Sequence, residues 1–202
     1  MINWPLRALK PLPDIDTSPY HDEELGVALF RAGIGNRNIN DILSAIQQAA
    51  RLCAWYYASG GQKPRPSEHE IISHVILPVF LGLGWSHQQI AVEWNRVDMA
   101  FFKSTPTTAE NCLMVLEAKG LGQALSEVLA QPKEYVNALG LAGVRYILTA
   151  DGANLFIYGK QGQEWDLNPI GYINFLSLQK KYILPRDTDL VKTLVMLQPG
   201  QL

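Results

Sequence analysis

The sequence predicts an α/β fold in which helices flank a central mixed β-sheet, and three observations carry that expectation. Apolar residues recur at three-to-four spacing across residues 40–61 and again across 67–84. The period then falls to two, or to short apolar runs, through residue 119. A further helical stretch follows before two more strand-like runs, so the order is helix, strands, helix, strands, which suits a layered sheet protein.

The first forty residues carry Pro5, Pro11, Pro13 and Pro19 and no sustained period, which predicts an arm or loosely packed extension. Asn40 and Asp41 open the first predicted helix, with Ile42, Leu43, Ile46, Ala50 and Ala54 on its apolar stripe, and Gly60-Gly61 closes it. Ser67 followed by Glu70 has the form of a capping box and opens a second helix. Its stripe is Ile71, Ile72, Val75, Ile76, Val79 and Phe80, and Gly82 and Gly84 stop it. "QIAVEW", "VDMAFF" and "CLMVLEAK" then predict three strands in a meander. "QALSEVLAQPKEYVNALG" predicts a helix in which Pro132 either kinks the chain or is the first residue of a fresh helical turn. "VRYILTADGANLFIYG" predicts a hairpin around Asp151-Gly152.

Composition narrows the classes of function. With 202 residues, 48% hydrophobic and 18% charged, the chain can bury a full core as one domain. A formal net charge of -2 excludes coating of nucleic acid by bulk charge and leaves room for a local basic groove. Cys53 and Cys112 are too few for a disulfide framework and fit a reducing compartment, so a cytoplasmic location is expected. No apolar run reaches membrane-spanning length, and the prolines near the N-terminus do not suit a signal peptide. No membrane partner is expected.

"MVLEAKGLG" poses the chemical question, because an apolar strand ends in an acid and a base. Residues i and i+2 of a strand share a face, so Glu117 and Lys119 project together and Ala118 offers its backbone between them. Asp98 opens "VDMAFF", the neighbouring strand if the connection is a hairpin. Two carboxylates brought together across strands repel, which raises one pKa or recruits a cation. Hard oxygen ligands favour magnesium, which seldom uses more than two protein carboxylates. An ammonium beside it can hold or deprotonate a water for attack on phosphorus. On the tripeptide alone, a Glu and a Lys at this spacing are more often ordinary solvated charges of a strand edge than a site.

Taken together, "SEHEIISHVILPVFLGLGW", "VDMAFF", "VLEAK", "QPKEY" and "YILTADGANLFIYG" resemble the PD-(D/E)XK nuclease superfamily, most closely the N-terminal nuclease domain of type I restriction enzyme R subunits. The resemblance covers about residues 68–158 and implies a restriction-endonuclease-like core over residues 63–202, with residues 1–62 as an arm and helix packed on it. It implies a catalytic set of Glu68 on a helix, Asp98 on the first catalytic strand and Glu117 with Lys119 on the next. Gln131 and Tyr135, four apart on the following helix, would orient the DNA backbone. The implied ion is magnesium, with manganese able to substitute, held by Asp98, Glu117 and the Ala118 carbonyl; the implied products carry 5′-phosphates. DNA is the implied substrate, and a helicase/translocase or methyltransferase-specificity subunit the implied partner. Val97 stands where many members have proline, and Pro132 interrupts the Gln131–Tyr135 motif. Between the helix acids, Glu68 lies three, four and seven positions before Ile71, Ile72 and Val75 and shares the inward stripe, whereas Glu70 suits the capping box.

Other chemistries fit less well. His69 and His74 are five apart, about 140° around a straight helix, and cannot share one zinc ion there. Neither cysteine has the surroundings of a nucleophile, and no phosphate-loop motif encodes a motor. Trp55, Trp85 and Trp94 suit a core or lid better than a base-stacking platform. A second class of function stays open: a nucleic-acid-binding or assembly module that keeps the fold and does not cut.

Overall fold

The computed structural model describes residues 15–58, 65–122, 128–162 and 164–201. Helices α1 (Asp22–Arg31) and α2 (Asn36–Ala58) precede a helical run of three parts, α3 (Glu68–Ile71), a π-helical turn (Ile72–Ile76) and α4 (Leu77–Gly82). Strands β1 (Ile90–Trp94), β2 (Val97–Phe102) and β3 (Cys112–Ala118) follow. Then come α5 (Ala130–Ala138) and strands β4 (Tyr146–Ala150) and β5 (Asn154–Gln161). The chain ends with β6 (Glu164–Trp165), β7 (Gly171–Asn174), β8 (Lys181–Tyr182), β9 (Thr188–Asp189) and α6 (Leu190–Met196).

The expected mixed sheet is present. Its order is β1-β2-β3-β4-β5, with β6 and β7 both paired to β5. Only β3 and β4 run parallel, joined through α5, and every other pair in this sheet is antiparallel. Alternation along the strands divides the interior in two. Met99, Phe101, Met114, Leu116, Leu148 and Leu155 face α1, α2, α4 and α6. Ala100, Phe102, Val115, Ile147 and Tyr158 face α5 with Leu129 and Val136.

Three expectations need correction. The segment before Asn40 is not all a loose arm: α1 buries Leu25 and Leu29 completely in the main core. Two inward positions four apart are too short a period to detect. Helix α2 begins at Asn36, four residues before the expected start. In the helix expected from Gln123, residues 123–127 lie outside the described residues; Val128 and Leu129 form a turn, and α5 starts at Ala130. Pro132 is therefore the third residue of a fresh helix rather than its first, still within the first turn, where no intrahelical donor is missed.

The stripe on α3 to α4 is buried as expected, from Ile71 to Phe80. Its pairs repeat every four residues, which on an α-helix drifts by about 40° per repeat. The wider π turn at Ile72–Ile76 takes up that drift and keeps the stripe on the sheet. Ser67 and Glu70 form the capping box, with Ser67 Oγ accepting from Glu70 N and Glu70 Oε2 accepting from Ser67 N. This fixes the start of α3 and hence the position of Glu68. At the other end Gly82 passes so close to α2 that a Cβ there would meet Ala45 Cβ at 2.9 Å.

Both cysteines are fully buried core residues, and burial pushes each thiol up to about 12. Trp85 is buried, its Nε1 donating to Leu197 O at 2.8 Å, and Trp94 packs edge-on against Phe102. Of the two places expected for the tryptophans, core or lid, Trp55 does not take the first: it is 48% exposed.

Candidate active site

The register of the antiparallel strands brings the acids together. Met99 pairs with Leu116 and Ala100 with Val115, so one step further Asp98 stands opposite Glu117. On the other side Val92 pairs with Met99 and Trp94 with Val97, which places Glu93 beside Asp98. The β1–β2 hairpin turns on two residues, Asn95 (φ 48) and Arg96 (φ 74), the positive-φ pair that a tight hairpin requires. Glu93 also has positive φ, at 55. Three of the four residues from Glu93 to Arg96 thus hold a positive φ without being glycine, a kind of backbone strain that clusters at functional sites.

Each charged group has a defined environment. Asp98 Oδ2 accepts from Ala118 N at 2.7 Å, so a side chain takes the place of a backbone acceptor where the β2–β3 ladder ends. Glu117 is 2% exposed. Its Oε1 accepts from Lys119 Nζ at 2.7 Å, and its Oε2 is buried with no hydrogen-bond partner. Lys119 Nζ also lies 4.0 Å from Glu68 Oε1, and the Lys119 N–H donates to Ala150 O, which ties the end of β3 to β4. Four sequence-predicted residues, Glu68, Asp98, Glu117 and Lys119, therefore meet at one edge of the sheet, with Ala118 between them.

Burial pushes the Asp98 carboxyl above its ordinary value, against the opposing pull of the Ala118 N–H and the Lys119 charge. Burial raises Glu117 as well; the Lys119 hydrogen bond opposes this, and the neighbouring charges of Asp98 and Glu68 add to it. At Lys119 burial disfavours the charge, but the Glu117 hydrogen bond and the surrounding carboxylates outweigh it and raise the pKa. Lys119 is accordingly an ammonium, suited to orienting a water rather than deprotonating it.

These shifts fix the sign of a pH effect. A carboxyl with a raised folded pKa keeps its proton in the native state after the unfolded chain has released it. Stability present below the ordinary value of 4.5 is lost as pH rises through the raised value of Glu117. Asp98 acts in the same direction. In chelator, melting temperatures measured from about pH 4 to pH 8 should fall less steeply for Glu117→Gln than for the parent. Equal slopes would show that Glu117 is not the group that resists ionisation.

Gln131 and Tyr135 are placed differently. Gln131 Nε2 donates to Tyr135 Oη at 2.9 Å on α5, with Gln131 exposed and Tyr135 half-buried against the α5-side core. Among the described residues, none of their hydrogen bonds reaches the acids. Glu93 is the neighbour that sequence reasoning missed. It contributes to the raised Asp98 pKa and lies 3.3 Å from His69 Nδ1. Asn95, a residue tolerant of positive φ, was the available sign of a tight turn that would bring Glu93 back across from Asp98.

Among the described residues no group of three or more His, Cys, Asp and Glu side chains is arranged to hold a metal ion, and no helix is long and apolar enough to cross a membrane. The chain matches no protein-family model, no curated protein and no solved structure.

Proposed function

We propose that this chain is a magnesium-dependent DNA endonuclease domain of the restriction-enzyme type, with a restriction-endonuclease-like core. The observation that carries the proposal is Glu117: a carboxylate 2% exposed, one oxygen held by Lys119, the other unpartnered, beside a second carboxylate whose burial also disfavours its charge. A buried, unsatisfied charge costs several kcal/mol unless something compensates it. A hard divalent cation suits two carboxylates, since magnesium keeps several waters and uses one or two protein carboxylates. Asp98, Glu117 and the Ala118 carbonyl would hold it, and manganese would substitute. When bound, such an ion polarises a phosphodiester and makes its waters more acidic.

The remaining roles fall to this chain's own groups. Lys119 Nζ, fixed by Glu117 Oε1, donates to the attacking water and offsets negative charge developing on the phosphate. Glu68, held by the α3 cap 4.0 Å from that ammonium, orients a further water. Water adds to phosphorus in line, the P–O3′ bond breaks, and the proton passes to O3′, leaving a 5′-phosphate. Gln131 and Tyr135 would position the backbone: with Gln131 Nε2 donating to Tyr135 Oη, the Tyr135 O–H and the second Gln131 N–H are the donors left for a phosphate. A helicase/translocase or methyltransferase-specificity subunit would complete such an enzyme.

A non-cleaving assembly module is the alternative, and one observation favours it. Phe30 and Val27 on α1 are 60% and 50% exposed, an apolar surface suited to docking. Incubating the purified chain with supercoiled and linear duplex DNA decides between them. Nicking or cutting in magnesium or manganese and none in chelator is expected. Intact DNA across all metals and chain concentrations would reject the nuclease proposal.

A further inference from the structure

We propose that a groove at the opposite end of β4 from the acids is a second contact surface for a nucleic-acid backbone, one that anchors the strand away from the reacting phosphate. The groove has a volume of about 810 Å³ and is lined by Arg145, Lys160 and Arg186 with one carboxylate, Asp166. It and the acid edge are separated by the length of β4, about 13 Å at the strand rise.

Electrostatics point to an anionic occupant. Tyr146 pairs with Gly159 in the antiparallel β4–β5 ladder, so Arg145, just before, and Lys160, just after, take facing positions. Like charges set opposite each other across strands are destabilising. Among the described residues neither has a carboxylate within ion-pairing distance. Asp166 is already occupied: its Oδ2 accepts from Arg186 Nη2 at 2.8 Å and its Oδ1 from Asn168 N at 2.9 Å. That pair fixes Arg186 while leaving it half exposed. Lys160 Nζ lies 5.1 Å from the centre of the Trp165 ring, which holds the ammonium over an aromatic face. Two guanidinium forks and one oriented ammonium match phosphate oxygens.

The choice of a nucleic acid over another polyanion rests on the nuclease proposal; the anionic character of the occupant does not. The cations share the groove with Val144, Tyr146 and Ile170, and three cations against one carboxylate already paired favour a repeating anion over a peptide that anchors by its side chains.

The test measures binding of a fluorescent duplex to the full chain in chelator, so that no cleavage enters, across a range of salt concentrations. The double variant Arg145→Gln/Lys160→Gln should lower the slope of log K against log salt by about 0.9 for each phosphate contact removed, hence about 1.8 for the pair. The charge-conserving Arg145→Lys/Lys160→Arg should keep the parental slope, which separates lost charge from altered folding. Polyglutamate and a nucleoside monophosphate, as competitors at equal charge, should displace the duplex poorly. An unchanged slope in the double Gln variant, or displacement by polyglutamate as effective as by unlabelled DNA, would overturn the proposal. Binding of the mononucleotide without binding of the duplex would also overturn it. Absence of cleavage in the separate magnesium and manganese assay, beside the expected slope change, would count against the nuclease proposal alone. Cleavage beside an unchanged slope would count against the groove alone.

Discussion

Replacing Lys119 by alanine is expected to reduce DNA cleavage by about 10²–10³, the usual cost of losing one donor aimed at charge that develops in the transition state. The geometry adds a consequence that the sequence alone does not suggest. Spacing describes an exposed lysine whose removal would leave the fold almost untouched, whereas its side chain is 21% exposed and bonded to a glutamate 2% exposed. Without it the Glu117 carboxylate is buried with neither oxygen satisfied, and taking up a proton is its cheapest escape. The variant should therefore lose stability at neutral pH and regain much of it as pH falls, because protonating Glu117 removes the uncompensated charge. Cleavage assays and thermal melts at two pH values test both parts. Cutting at the parental rate would end the role of Lys119 in positioning water, and a stability loss independent of pH would mean that Glu117 is not the group exposed to it.

Asp98→Asn is expected to abolish cleavage and to remove stabilisation by magnesium. An ion bound only by the folded chain stabilises it by about 2.7 kcal/mol at a hundredfold excess over its dissociation constant. The asparagine oxygen can still accept the Ala118 N–H that Asp98 holds at 2.7 Å, so the end of the β2–β3 ladder is kept. The substitution also removes a charge that burial disfavours and that adds to the raised Glu117 pKa. In chelator, then, the variant should melt no lower than its parent. With magnesium, the parent should shift upward and the variant should not. If the variant instead loses several degrees without metal and keeps the full magnesium shift, Asp98 is a structural acid that only terminates the ladder.

How much of this was legible in one dimension depends on the range of each interaction. Period and punctuation are local. The strands of the meander, the capping box at Ser67, the hairpin around Asp151 and the buried stripe from Ile71 to Phe80 could be read directly, because each rests on contacts within a few residues of chain. The shared face of Glu117 and Lys119 was equally legible, since alternation along a strand decides it. The preference for Glu68 over Glu70 followed from helical spacing, and the cap bonds of Glu70 agree with it.

Tertiary structure decided what depends on register, burial and contacts distant in sequence. Helix α1 was hidden because its two buried leucines mean little until α2 covers them. No elements were predicted beyond the β5 run, where β6 and β7 take their order from the β5 edge they join, β8 and β9 pair only with each other, and α6 is seven residues long. At the site, the sequence determined which charged residues exist and which way a strand would aim them. Only the fold decided that Glu117 has an unpartnered oxygen, that Lys119 stays charged, that Glu93 adjoins Asp98, and that Gln131 bonds to Tyr135. The reason is physical: a carboxylate's energy depends on the water removed from it and on the charges brought near it, and both are set by strands that meet only after the chain has folded.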